Sequence, residues 1–159
     1  LPRHHETREL PYSAEQMFAL VTDIARYPDF LPWVVALRVR SDTESEAVAD
    51  MIVGFKGLRE SFSCRVEKQR PDHVAVHYID GPMRHLDNEW HFTPIDGGGC
   101  RVDFLVDFSF RNRLFETLAG QMFDKGLRRM IAAFEERAAV LYGAGSSISS
   151  DGRSESLSG

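Results

Sequence analysis

The stretch Asp96-Gly97-Gly98-Gly99-Cys100-Arg101-Val102-Asp103-Phe104-Leu105-Val106-Asp107-Phe108-Ser109-Phe110, running on through Arg111-Asn112-Arg113 to a helical pattern from Leu114 to Tyr142, decides the fold of this chain. Asp96–Gly99 is a hairpin signal, because glycine supplies the positive φ that tight turns need. After it, Val102, Phe104, Val106, Phe108 and Phe110 alternate with Arg101, Asp103, Asp107 and Ser109. A period of two with one apolar row predicts a strand with one wet and one dry face. Asn112 is the expected N-cap of the helix and Gly143 its C-terminal stop. At 1.5 Å per residue that helix is roughly 43 Å long, enough to cross the dry face of a sheet.

The helix carries two apolar clusters in place of one steady stripe. Leu114, Phe115, Leu118, Ala119 and Met122 fall on one side. Phe123, Leu127, Met130, Ile131, Phe134, Ala138 and Leu141 fall on another. The stripe turns by roughly a third of a turn, near Gly120 and Gly126. Two expectations follow: a kink between the glycines, or two halves that face different surfaces. Either leaves space between helix and sheet near Gly120–Gly126, against the plainer expectation of a long core helix with ordinary irregularity.

Upstream, Arg3–Leu10 reads as a first strand ended by Pro11. Ser13 with Gln16 forms a capping box, and Met17, Phe18, Leu20 and Val21 give the helix after it a buried face. A shorter helical turn is expected over Ile24–Phe30, broken by Pro28 and Pro32. Strands then follow in close succession. Their apolar rows are Val35, Leu37 and Val39; then Glu46–Val53; then Phe62, Cys64 and Val66; then Val74, Val76 and Tyr78; then Leu86, Asn88, Trp90 and Phe92. Gly54-Phe55-Lys56-Gly57 reads as a turn. The whole is an α+β domain over residues 1–142, a curved antiparallel sheet wrapped around the C-terminal helix. Residues 143–159 are rich in Gly and Ser and read as a flexible tail.

Composition narrows the function. A chain of 159 residues buries roughly 70% of its unfolded surface and needs no staples. The net charge of −5 argues against a general nucleic-acid binder, and DNA is not an expected partner. Cys64 and Cys100 lack metal or redox spacing and read as reduced thiols of a cytoplasmic protein. No stretch approaches the 18 apolar residues of a membrane span, and the first residues show no signal-peptide core. GxSxG, HExxH and phosphate-loop motifs are absent, as are metal-spaced clusters. His77 and His91 fall on outward rows, and His73 and His85 near turns. Glu60 is the best carboxylate candidate for acid–base work, though a strand-edge charge is the simpler reading.

Asp23-Ile24-Ala25-Arg26-Tyr27-Pro28-Asp29-Phe30-Leu31-Pro32-Trp33 resembles the coenzyme Q-binding, START-like family. That family is also known as polyketide cyclase/dehydrase and includes a bacterial ribosome-association toxin. Val53–Glu60, Asp80-Gly81-Pro82-Met83-Arg84-His85-Leu86, Trp90-His91-Phe92 and Val106-Asp107-Phe108-Ser109-Phe110 continue the resemblance in order. It closes on Ala133-Phe134-Glu135-Glu136-Arg137-Ala138 and Leu141-Tyr142. It covers residues 3–142, with Met83 standing where the family often has Phe. The resemblance implies a helix-grip fold of order β-α-α-β-β-β-β-β-β-α, which agrees with the reading above.

It also implies three functions. The first is non-catalytic binding of an apolar lipid, ubiquinone or a similar polyisoprenoid, by a carrier or chaperone that supports respiratory electron transport. The inward rows and the apolar loop give the candidate lining: Phe18, Phe30, Leu31, Trp33, Phe62, Cys64, Tyr78, Asn88, Trp90, Phe104, Val106, Phe108, Leu118, Met122 and Phe123. Asn88 is the polar exception. It is either satisfied by nearby backbone or bonded to a quinone carbonyl. The loop Tyr27–Val35 either plugs the end of the sheet or acts as a gate that touches the inner membrane surface. The second function is a toxin-like regulator of translation that binds a ribosomal subunit. It would use Arg111, Arg113, Lys125, Arg128, Arg129 and Arg137, although Glu116, Asp124, Glu135 and Glu136 suggest a helix face with i,i+4 pairs. The third is a polyketide cyclase-like enzyme. No cofactor is expected.

Overall fold

Ser13 caps the first helix as its side chain requires: Gln16 N–H donates to Ser13 Oγ at 3.1 Å, and Ser13 N–H donates to the Gln16 side chain at 2.9 Å. A computed structural model describes residues 3–55 and 57–143. Lys56 and residues 144–159, which hold the expected tail, lie outside the described residues. In chain order the elements are β1 (Arg3–Leu10), α1 (Ala14–Thr22), a 3-10 turn (Ile24–Arg26), α2 (Tyr27–Phe30), β2 (Val34–Asp42), β3 (Glu46–Phe55), β4 (Leu58–Gln69), β5 (His73–Asp80), β6 (Met83–Pro94), β7 (Cys100–Phe110) and α3 (Arg113–Tyr142). This is the expected α+β helix-grip order.

The strands form one antiparallel sheet in the order β1-β7-β6-β5-β4-β3-β2. Six strands make a meander of neighbours, and β1 crosses to pair with β7, Arg3 opposite Asp107 and Leu10 opposite Cys100. The turns use their glycines. Gly97 and Gly98 have φ of 91° and 92° in the β6–β7 hairpin. Gly81, between β5 and β6, has φ 144°, and a Cβ there would meet Phe62 Cβ at 2.6 Å. No other residue fits both that dihedral and that approach.

Two details differ from the sequence reading. Pro28 does not break α2 but sits in its first turn, where no intrahelical N–H is lost. Val35 is 40% exposed and Val34 is buried instead, because a register shift between Val34 and Ala36 flips the row at the start of β2.

The interior divides into two apolar clusters. The larger joins α1, the concave face of the sheet and the second half of α3, with Leu127, Met130, Ala133, Phe134, Ala138 and Tyr142. The smaller gathers Met83, Phe110 and Phe115, with Tyr78, Leu86, Phe108 and Ala119 around them. The two halves of α3 therefore meet different parts of the concave face, Phe115 and Ala119 in the smaller cluster and Met130, Phe134 and Ala138 in the larger. The helix runs unbroken through Gly120 and Gly126, both exposed. Leu114 and Leu141 are exposed at 59% and 46%, so neither joins the cluster expected from the wheel. Phe115 is buried in the first half, and Tyr142 packs on Tyr12 at the end.

Candidate functional site

The larger cluster does not fill its own centre. A cavity of about 180 Å³ lies between the sheet and the second half of α3. Its floor is the inward row of β3 through β7, from Ala49 and Met51 across Phe62, Cys64 and Val66 to Phe104 and Val106. Val21 and Ile24 close one side, and Tyr27, Leu31, Trp33 and Val34 another. Met130 and Phe134 come down from α3. The space therefore sits one to two turns past Gly126, away from the expected place at Gly120–Gly126. Phe134 holds that roof. Its ring meets Trp90, Phe30 and Tyr27 edge-on at 5.1, 5.2 and 5.6 Å. A smaller cavity of about 40 Å³ shares the wall of Trp90, Phe104, Met130 and Phe134 and is rimmed by Arg8 and Glu135, an ion pair at 3.3 Å.

No charged residue lines the larger cavity, and Tyr27, Asn88 and Trp90 are hydrogen-bonded within the wall. Trp90 Nε1 donates to Asn88 Oδ1 at 3.0 Å, and Asn88 Nδ2 donates to the Leu105 carbonyl at 2.9 Å. Because an indole only donates, this fixes the amide's orientation. Asn88 is thus satisfied by its neighbours, the simpler of the two expectations. Tyr27 Oη donates to the Val21 carbonyl, and burial raises its pKa above the usual phenol range. Burial, then the Asp50 charge, pushes the Cys64 thiol up to about 11. Every group on the wall is neutral near pH 7. Glu60 does not reach this space, and the walls offer no acid–base pair.

Of the residues picked from sequence, Leu31, Trp33, Phe62, Cys64, Asn88, Trp90, Phe104 and Val106 line the cavity. The others lie elsewhere. Phe18 is buried against Phe92, with the Arg70 guanidinium over its ring. Phe30 stands behind Phe134 and Tyr27, with Arg137 over its ring. Tyr78 and Phe108 belong to the smaller cluster. Phe123 packs on Phe108 and His4 at the β1 side. Leu118 and Met122 are half-buried on the first half of α3, away from the wall. Alternation says which face a side chain takes but not how far along the strand the free space falls, and this concave face is long enough for two clusters. Sequence reading missed Met130 and Phe134 as lining because it placed the cavity at Gly120–Gly126, ahead of both. It missed Val21 and Ile24 because helical burial alone does not tell core from lining.

In the segment Tyr27–Val35, Leu31 is buried at 3% and Tyr27 and Trp33 turn to the cavity. The segment closes the end of the sheet, with Tyr27, Leu31, Trp33 and Val34 turned inward and Val35 exposed. No helix among the described residues is long and apolar enough to cross a membrane. Both cysteines are free and buried.

Residues 10–135 match the family model described as polyketide cyclase/dehydrase and lipid transport. The chain is 35% identical to the ribosome association toxin RatA of Escherichia coli over 144 residues, 91% of either chain. It is 32% identical to the mitochondrial coenzyme Q-binding protein COQ10 homolog B of Xenopus laevis, over 88% of this chain and 59% of that one. A START superfamily protein from Mycobacterium smegmatis superposes with a TM-score of 0.71 at 18% identity, over 87% of this chain and 98% of that one, and shares the fold. With an unbroken helix gripped by a seven-stranded sheet and a match spanning most of its length, this chain belongs to the polyketide cyclase/dehydrase and lipid transport family.

Proposed function

We propose that the chain binds a neutral, ring-bearing apolar lipid of the ubiquinone class in the cavity between sheet and α3, and carries it without transforming it. The observation that carries this reading is the wall itself. It is apolar, it bears no charge, and its one side-chain amide is already paired within the wall. Such a site favours burial of apolar surface and offers no group to move a proton. An engineered cavity of roughly 150 Å³ holds benzene, so about 180 Å³ suits a substituted ring, with an isoprenoid tail leaving by an opening of the wall. The likeness to a coenzyme Q-binding protein supports the same ligand class. The test is mass spectrometry of an organic extract of natively purified protein. A quinone lipid at near one equivalent is the expected result. An extract without apolar molecules, together with failure to bind a short-tailed ubiquinone analogue, would overturn the proposal.

A second reading is supported by α3. The expected i,i+4 ion pairs do not form. Glu135 turns to Arg8, and Glu116 Oε1 accepts from Phe110 N–H at 2.7 Å. Among the described residues, Arg111, Arg113, Lys125, Arg128 and Arg129 are exposed and form no ion pair within 4.0 Å. Exposed cations on α3 and in the turn before it suit RNA phosphates, and the likeness to a ribosome association toxin supports the same reading. Co-sedimentation with ribosomal subunits, lost in the double variant Arg128→Glu/Arg129→Glu, is the result this reading requires.

A further inference from the structure

On the outer face of the sheet, opposite the cavity, His73 of β5 and His91 of β6 stand directly across from each other as Cα partners. Glu89 lies two residues before His91, hence on the same face. Both imidazoles converge on one atom: Nε2 of His73 is 3.1 Å and Nε2 of His91 is 3.2 Å from Glu89 Oε1. The two rings stack at 4.4 Å with 16° between their planes. His73 and Glu89 are half-buried and His91 is exposed. We propose that His73, Glu89 and His91 form a binding site for a divalent transition-metal ion of the zinc class, with a solvent-facing coordination position left open.

The ligand chemistry fits that class, since imidazole nitrogen with one carboxylate suits Zn²⁺ and its neighbours and is a poor match for Ca²⁺ or Mg²⁺. The geometry is close to ready. Tetrahedral bonds of about 2.0–2.2 Å place ligand atoms roughly 3.4 Å apart. Two edges of the triangle already measure 3.1 and 3.2 Å, and all three ligand atoms lie within 4.8 Å of one another. Small rotations of the two rings therefore suffice to aim both nitrogens at one point.

The place matters as much as the chemistry. Strands β5 and β6 pair only from His73 opposite His91 to His77 opposite Asp87, the shortest ladder in the sheet. Val74 and Trp90, the next pair along, point the other way and line the cavity. A metal held by the three side chains clips this seam together and stiffens the wall directly behind Trp90.

The test is titration of the tag-free full chain with Zn²⁺ by calorimetry, and with Co²⁺ followed by its visible d–d absorption. One equivalent of either ion is expected, and Zn²⁺ should raise the melting temperature. His73→Gln and His91→Gln should each weaken binding by roughly 100-fold, at the upper end of what even outer-shell changes cost a metal site. His85→Gln, at another histidine–carboxylate pair on the sheet, should leave it unchanged. Circular dichroism verifies that each variant is folded. Absence of saturable binding by the wild-type chain overturns the proposal whatever the variants do. So does binding that survives both His73→Gln and His91→Gln, or that falls equally in His85→Gln.

Discussion

Trp90 Nε1 donates to Asn88 Oδ1 at 3.0 Å, joining two residues that stand two apart on the inward row of β6. With the second bond from Asn88 Nδ2 to the Leu105 carbonyl, the amide anchors the edge of the indole to β7. Asn88→Leu leaves an indole N–H without its partner inside an apolar wall. It should cost about 1–3 kcal/mol of stability in urea denaturation. Quinone affinity should change less than stability. A variant of unchanged stability that loses the ligand would assign the amide to the quinone instead.

Val76 lines the cavity and is half-buried. Val76→Phe adds volume where the chain leaves space, so stability should hold within about 1.5 kcal/mol. Affinity for a short-tailed ubiquinone analogue should fall at least tenfold, about 1.4 kcal/mol, in fluorescence titration. Undiminished binding would place the ligand elsewhere.

Phe134 touches Trp90, Phe30 and Tyr27 and is 5% exposed. Phe134→Ala should cost about 3–5 kcal/mol, read from the urea midpoint. It also removes part of the wall between the two cavities. Analogues with a bulkier ring should therefore bind the variant better, relative to the small ring, than they bind the wild type.

These contacts show what the sequence could and could not convey. The succession of strands was legible because β2 to β7 carry their own alternation, with turn glycines after β3, β5 and β6, and neighbours in sequence became neighbours in space. The caps at Ser13 and Asn112 were legible because they are local. The division of the concave face was not. Tyr78, Phe108 and Trp90 carry the same alternation signal, yet only Trp90 reaches the cavity. What separates them is the path of α3 over the sheet, set by contacts far apart in the chain such as Trp90 with Phe134. Likewise the convergence of His73 on Glu89 depends on the β5–β6 register, which spacing alone does not state.

Gly120 and Gly126 are exposed in the middle of α3, and a Cβ at either would meet nothing within 4 Å. Alanine suits a helix interior better than glycine by about 1 kcal/mol. Gly120→Ala and Gly126→Ala should each stabilise the chain by about that amount in urea denaturation. Hydrogen exchange should slow across the helix between them. If α3 must loosen to admit a ligand, the double variant binds its quinone analogue more slowly at equal affinity.

Burial pushes the thiols of Cys64 and Cys100 up to about 11, from an ordinary value of 9.0. Between pH 9 and 11 the folded chain keeps these protons while the unfolded chain releases them. Folded protein then binds more protons, so stability falls as pH rises through that window and is fully present below it. The urea midpoint should drop from about pH 8.5 to about pH 10.5, and the drop should shrink in Cys64→Ala. A flat profile would mean that neither thiol is protected by the fold.

The placement of β1 beside β7 sets a timetable for synthesis. Strands β2 to β7 can join one after another as they leave the ribosome, each to the strand just made. Arg3 cannot meet Asp107 until more than a hundred further residues have emerged. The first strand must wait, unpaired, for the last. When it docks, the Arg8–Glu135 pair and the bond from Tyr142 Oη to the Gln16 carbonyl bring the end of α3 down beside it. The cavity has no roof until α3 docks, so a nascent chain whose strands have joined as far as β7 holds an open, apolar trough.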